Sequence, residues 1–252
     1  MLQDERYEKI LKQLNAKHAV KVACLARELG ISESTIRRDI NDLHQMGKLK
    51  RVFGGAVSVS SDTAAARTDV AARAVINVEE KERIARYAAA LVEEDDFVFI
   101  DAGTTTQRMI DYLDAANAIY VTNGIIHAKK LIEKGLNAYI IGGSLRASTK
   151  AAIGTPAIES LKKYNFTKCF MGTNGVDIDR GFTTPDVGEA AVKTEAMKRA
   201  YVSFILADHT KFGLISSVTF AELPDACIIT DRVEAGQYSR HTAVREVDAE
   251  IL

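Results

Sequence analysis

Five short stretches place small, hydroxylated and charged residues directly after apolar, β-branched runs. Asp101-Ala102-Gly103-Thr104-Thr105-Thr106 follows Phe97–Ile100, and Thr122-Asn123-Gly124 follows Ile119–Val121. Gly142-Gly143-Ser144-Leu145-Arg146 follows Ile141, Gly172-Thr173-Asn174-Gly175 follows Met171, and Asp208-His209-Thr210-Lys211 comes soon after Leu206. If the runs are parallel strands, these groups converge on the carboxyl edge of one sheet, where open α/β sheets bind ligands. One such stretch is an ordinary turn; five together favour a polar ligand site. Gly103-Thr104-Thr105-Thr106 is the most specific, since glycine admits close backbone approach and a helix opening at Thr105 offers unpaired N–H groups. That chemistry suits a phosphate monoester or a carboxylate. The chain contains neither GxxxxGK[ST] nor GxGxxG, which disfavours a nucleoside triphosphate. Arg146 and Lys211 add positive charge to the rim, and Asn174 an amide. Lys193 lies four residues after Glu189, which by itself reads as an exposed helical ion pair.

A second chemistry sits near the start of the chain. Ile31-Ser32-Glu33-Ser34-Thr35-Ile36-Arg37-Arg38-Asp39-Ile40 follows Leu29-Gly30. Read as a helix after a glycine turn, it turns Ser34, Thr35, Arg37 and Arg38 outward, side chains that reach phosphates and guanine edges in a DNA major groove.

The elements that must position these groups follow from periodicity. Tyr7, Ile10, Leu11 and Leu14 have helical spacing, as do Val22, Leu25, Ala26 and Leu29. Gly30 ends the second helix, Ser32 caps the third, and Ile36, Ile40 and Leu43 complete a small core. Residues 47–57 alternate polar and apolar with glycines at a bend, a hairpin or wing. Residues 58–77 are Ser-, Ala- and Thr-rich and read as a linker with some helix. From residue 78 to 252 apolar runs, with Cys227–Thr230 the last, alternate with helical patterns at Thr105–Leu113, Ile125–Glu133, Pro156–Tyr164 and Gly188–Ala200. The expected architecture is therefore α/β: an N-terminal helix-turn-helix module over residues 1–57 and a C-terminal unit with a largely parallel sheet.

Charge distribution agrees with this division. Residues 1–57 hold 11 Lys and Arg against 7 Asp and Glu, whereas the rest hold 22 against 27, so the basic excess lies with the helix-turn-helix. Cys24, Cys169 and Cys227 are scattered in apolar neighbourhoods and read as buried thiols of a cytoplasmic protein. His18, His44, His127, His209 and His241 show no metal-ligand spacing, and no cofactor is expected. No apolar run approaches the roughly 20 residues needed to span a bilayer, so no membrane association is expected.

Across nearly its whole length the chain resembles the DeoR family of bacterial transcription regulators. The resemblance is carried by Glu5-Arg6 with Ile10, by Ser32-x-Ser34-Thr35-Ile36-Arg37-Arg38-Asp39, and by Gly54-Gly55-Ala56 after a basic strand. In the second unit it is carried by Asp101 to Thr106, Thr122-Asn123-Gly124, Gly142-Gly143, Asp208 and Lys211-Phe212-Gly213. It implies a winged helix-turn-helix spanning Val20 to Asp39, with Ser32, Ser34, Thr35, Arg37 and Arg38 facing double-stranded operator DNA and Lys48, Lys50 and Arg51 near its backbone. It also implies a sensing and oligomerising domain similar in fold to ribose-5-phosphate isomerases and CoA transferases. There Asp101, Gly103, Thr104, Thr105, Thr106, Thr122, Asn123, Gly142, Gly143, Arg146, Asn174, Glu189, Lys193, Asp208 and Lys211 would line a sugar-phosphate site. Phe53 departs from the family pattern, which usually has histidine before Gly-Gly.

Gly172-Thr173-Asn174-Gly175-Val176 and Gly181-Phe182-Thr183-Thr184-Pro185-Asp186 most resemble fructose-operon repressors, implying fructose 1-phosphate as effector. The expected function is a non-enzymatic repressor of a sugar-utilisation operon, acting as a homodimer or homotetramer. The alternative is an isomerase-like enzyme with an accessory DNA module, since Asp101, Asp208 and Glu189 could supply a general base.

Overall fold

A computed structural model describes residues 3–17, 19–58, 70–233 and 236–247. The chain divides into two compact units, residues 1–67 and 68–252.

In the first unit helices α1 (Gln3–Lys17), α2 (Val22–Leu29) and α3 (Glu33–Gln45) enclose a core that includes Tyr7, Ile10, Leu14, Leu25, Ile36, Ile40 and Leu43. Gly30 adopts φ 65° and ends α2, and the Ser32 hydroxyl caps α3 by accepting from the Thr35 amide. Strands β2 (Leu49–Val52) and β3 (Gly55–Ser58) form the expected wing. A strand the sequence did not reveal, β1 (Ala19–Lys21), pairs with β3 and completes an antiparallel sheet of order β1-β3-β2. Gly55 is required there, because a Cβ would fall 2.0 Å from the Val20 carbonyl oxygen. Buried Asp39 ties α3 to α1 through two 2.8 Å bonds donated by Arg6.

The second unit begins with α4 (Val70–Ala74) and α5 (Val78–Ala89). A parallel seven-stranded sheet follows, in the order β15-β14-β12-β9-β4-β5-β6. Its strands are β4 (Phe97–Ile100), β5 (Ile119–Thr122), β6 (Asn137–Ile140), β9 (Phe166–Gly172), β12 (Ala200–Leu206), β14 (Cys227–Thr230) and β15 (Val244–Glu246). Helices α6 (Thr104–Met109), α7 (Ile125–Glu133), α8 (Thr155–Leu161) and α9 (Val187–Lys198) lie between them in sequence. One core contains Phe99, Val121, Phe166, Met171 and Ile205; the other contains Val98, Ile100, Tyr120, Phe170 and Leu206. Alternate residues of each strand thus serve opposite cores, as in a sheet covered on both faces. Two small antiparallel sheets, β7 (Ser144–Arg146) with β8 (Ala151–Ile153) and β10 (Gly175–Asp177) with β11 (Gly181–Thr184) and β13 (Val218–Ala221), were not legible from periodicity.

From β4 the chain proceeds through β5 and β6 to one edge; from β9 it proceeds through β12 and β14 to the other. The order reverses between β4 and β9, which defines a topological switch point at their carboxyl ends. Among the described residues no helix is long and apolar enough to cross a membrane, and no group of His, Cys, Asp and Glu could hold a metal ion. One expectation fails: Cys169 is buried, but Cys24 is exposed and Cys227 half-buried. Cys24 lies on the helix face away from buried Val22 and Leu25.

Candidate functional site

In the first unit α3 buries Ile36, Asp39, Ile40 and Leu43, which leaves the intervening positions in solvent. Ser32, Ser34, Arg37 and Arg38 are exposed and Thr35 is half-buried beneath the Ser32 cap. Arg37 is held by Glu33 at 2.8 Å, whereas Arg38 makes no ion pair among the described residues. Lys48, Lys50 and Arg51 are exposed on and beside β2, with Arg51 donating to Asn41 of α3. Phe53 stands fully exposed at the wing tip.

In the second unit Asp101, at the end of β4, and Gly172, at the end of β9, flank the switch point. Lys193 of α9 closes the gap between them. Its ammonium bonds the Asp101 carboxylate and donates to the Gly172 carbonyl at 2.9 Å, while the Gly172 amide donates to Asp101 at 3.2 Å. Both side chains are buried, so each charge depends on the other. Lys193 is therefore not partnered by Glu189 in the exposed pair that the i,i+4 spacing suggested. Glu189 instead faces Arg146, which also pairs with Asp186, the N-cap of α9. Arg146 does not follow β6 directly; it ends β7, whose hairpin with β8 docks on β5 through the bond from the Ala152 amide to the Asn123 carbonyl. Gly143 permits this hairpin, because its Cβ would lie 2.8 Å from the Ile153 carbonyl oxygen; Gly142 faces open solvent.

Two hydroxyls bond the backbone beside the Asp101–Lys193 pair. Thr106 accepts from the Gly103 amide and reaches the Asp101 carbonyl at 2.5 Å, and Thr122 donates to the Ile100 carbonyl at 2.6 Å. These two hold the scaffold. Helix α6 begins at Thr104, one residue before the expected start, with Gly103 as its N-cap. The amides of Thr104, Thr105 and Thr106 have no acceptor within the helix. Asn123 accepts from the Ala102 amide and thereby fixes the loop after β4. Asn174 lies apart from this cluster's hydrogen bonds and is held by Thr183 and Thr184 of β11.

A further group gathers after β12. Asp208 accepts from the side chains of Thr210 and Asn77, the latter at 3.0 Å. Burial alone would raise its pKa, but the Lys211 charge and these hydrogen bonds hold it below the ordinary value. Asn77 adopts φ 50°, a conformation asparagine tolerates, immediately before α5. Lys81 of α5 is buried and donates to the Arg73 and Ile76 carbonyls at 2.6 and 2.7 Å. Burial lowers its pKa to about 8; Asp208 opposes the shift, while Lys211, Arg108 and Arg73 add to it.

Sequence reasoning missed Asn77, Lys81 and His127. His127 lies on the buried face of α7, four residues before Leu131, a spacing that was available as a signal. Its Nε2 lies 3.0 Å from the Gly103 carbonyl oxygen and 3.2 Å from the Thr106 hydroxyl. Burial lowers its pKa to about 4, against the pull of Asp101 and the Gly103 carbonyl, so the ring is neutral at pH 7. Lys81 precedes buried Ile84 and Ala85 at helical spacing, but without α5 assigned that register was invisible. His209, in the turn after Asp208, places its Nδ1 2.7 Å from Asp231.

A helix that exposes Arg37 and Arg38 beside a basic wing, carried with an α/β unit that gathers polar groups at its switch point, defines a ligand-responsive transcription regulator. The chain belongs to the DeoR family: residues 6–62 match the DeoR-like helix-turn-helix domain and residues 76–232 the DeoR C terminal sensor domain. It is 41% identical to the uncharacterized transcriptional regulator FruR of Bacillus subtilis, over 98% of this chain and 99% of that one. It is 32% identical to the transcriptional repressor GlcR of the same organism, over 92% of this chain and 90% of that one. Among solved structures it is similar to a D-ribose-5-phosphate isomerase, at 16% identity and a TM-score of 0.41 over 54% of each chain. The family is one of transcription regulators, which settles the choice against the isomerase-like enzyme.

Proposed function

We propose that this protein represses a sugar-utilisation operon and is released from operator DNA by a phosphorylated sugar, with fructose 1-phosphate the first candidate. One observation carries the effector reading: the charges of Lys81 and Lys211 both act on one buried acid, Asp208, and Lys81 is anchored on the Arg73 carbonyl, which brings a further cation beside it. The Arg73 Nε is buried without a hydrogen-bond partner among the described residues. That positive excess favours a phosphate, and the first amides of α6 add donors for it. Asp101, Asn123 and Lys193 would then meet the sugar hydroxyls. Binding at Asp208 would also act on Asn77 and the Arg73–Ile76 carbonyls, which lie just after the boundary at residue 67. On the DNA side, Arg38 and Arg37 would read bases while Lys48, Lys50 and Arg51 contact phosphates. Two modules of a homo-oligomer would bind two half-sites.

The test is calorimetry on the full chain with phosphorylated hexoses, with and without a duplex selected from a random pool. Fructose 1-phosphate should bind, unphosphorylated fructose should not, and bound duplex should weaken sugar-phosphate binding by the factor with which the sugar phosphate weakens DNA. Equal sugar-phosphate affinity in both conditions, or no binding of any hexose phosphate, would overturn the reading.

A further inference from the structure

The two edges of the seven-stranded sheet are built differently. Edge strand β15 carries Arg245 and Glu246, both exposed. Charged residues on an edge discourage pairing with another strand. Edge strand β6, Asn137-Ala138-Tyr139-Ile140, carries no charge, no proline and no bulge, and Tyr139 and Ile140 are about half exposed on opposite faces. A parallel sheet ordinarily has both faces covered. Helix α7 packs over β5 and β6 and leaves Ile132 63% exposed.

The register on β5 sets which groups of β6 point outward. The Ile141 amide donates to the Thr122 carbonyl, and Thr122 lies opposite Ile140. In a parallel ladder Tyr139 and Ile141 then turn their backbone groups toward β5, which leaves the N–H and C=O of Ala138 and Ile140 directed at the free edge. Those two residues are related by a twofold axis through Tyr139. We infer that β6 is the seam along which a second copy of this chain joins the sheet, antiparallel, with Ala138 bonded to Ile140 of its partner and Tyr139 facing its own counterpart.

Two features outside the strand fit the same axis. Strands lie about 4.8 Å apart, so α7 over β5 and β6 would run about 10 Å from its symmetry mate, the spacing of packed helices. The mates would be antiparallel with Ile132 between them. Exposed Lys129 and Glu133, now paired along one helix, would become complementary across the axis. The inference deepens the function proposed above, which needs two modules on one operator.

The test uses the full chain with Cys24→Ser, since Cys24 is exposed. Directly opposed residues of a non-hydrogen-bonded antiparallel pair have Cα atoms about 4.5 Å apart, within disulfide reach. Adding Tyr139→Cys should therefore give a covalent dimer on mild oxidation, while Arg245→Cys on the opposite edge should stay uncross-linked. Ile140→Lys should weaken dimerisation in sedimentation equilibrium by about tenfold or more, by placing like charges at the seam. Failure of Tyr139→Cys to cross-link above the Arg245→Cys control would overturn the inference, whether sedimentation then finds a monomer or a dimer joined elsewhere. Cross-linking is read without DNA or sugar, so a protein that ignores hexose phosphates yet cross-links sinks only the effector reading.

Discussion

In the N-terminal unit Arg37, Arg38, Lys48, Lys50 and Arg51 stand in solvent, whereas in the C-terminal unit Asp101, Lys193, Lys81 and Asp208 are buried and bound to named partners. The first arrangement suits an external polyanion. Exposed cations keep their hydration and contribute little to folding, so their charge is free to act on a polyanion, an interaction that falls with salt. The second arrangement ties the proposed ligand site to the stability of the unit. Moving any one charge there disturbs a buried network, and a bound ligand can bias a conformation only through such differential contacts. Substitutions should therefore separate cleanly: binding lost without stability on the DNA face, stability lost together with binding at the switch point.

The sharpest break is expected at Lys193. Lys193→Met leaves the Asp101 carboxylate buried beside the Gly172 amide with no cation, and removing one partner of a buried pair typically costs about 3–5 kcal/mol. Denaturant unfolding of the full chain measures it. Adding Asp101→Asn should recover part of the loss, because the uncompensated charge goes with it. A loss below about 1 kcal/mol for the single variant would mean that the pair is not holding β4 and β9 together.

A smaller effect should separate the two units by pH. His127 has a folded-state pKa of about 4, below its ordinary value of 6.5, so as pH falls the unfolded chain takes up the proton first. The stability associated with its neutral form is complete above pH 6.5 and declines as pH falls toward 4, by roughly 3 kcal/mol over that window. His127→Gln should flatten the decline in the C-terminal unit. His127 belongs to the C-terminal unit, so the change should be confined to that unit's transition. An unchanged acid profile in His127→Gln would show that another group governs the transition.

What the sequence disclosed differs between the units for the same physical reason. Helix α3 and the wing were legible because their pattern is local: Gly30, Ser32 and the spacing of Ile36, Ile40 and Leu43 mark turn, cap and buried face within a dozen residues. Six of the seven strands of the parallel sheet were legible as apolar runs, the exception being the three-residue edge strand β15, and the polar groups at five strand ends were legible as a set. The side-chain pairings among those groups were not. Asp101 lies 92 positions from Lys193, and Asn77 131 positions from Asp208, distances that no periodicity spans. Local reasoning assigned Lys193 to Glu189 because four residues along a helix is the nearest available acid, and tertiary structure gave it Asp101 instead. The short strands β7, β8, β10, β11 and β13 also escaped, since three or four residues give too few alternations to recognise.

On the DNA face the expected effects are smaller and fall mainly on binding. Arg38→Ala should weaken specific duplex binding by about 1–3 kcal/mol at fixed salt, with unfolding unchanged, and unaltered affinity would remove Arg38 from the interface. Arg37 begins with a competitor, because Glu33 already holds its guanidinium. An exposed i,i+4 pair contributes only about 0.3–0.5 kcal/mol, so DNA can draw Arg37 away, but part of its gain is offset by breaking the pair. Glu33→Gln should therefore tighten duplex binding by about 0.5 kcal/mol, while the helix start loses a favourable negative charge worth a similar amount. Titrating the variant with duplex at two salt concentrations tests the first effect, and denaturant unfolding tests the second. If Glu33→Gln weakened binding instead, Glu33 would be holding Arg37 in its reading position rather than withholding it from the duplex.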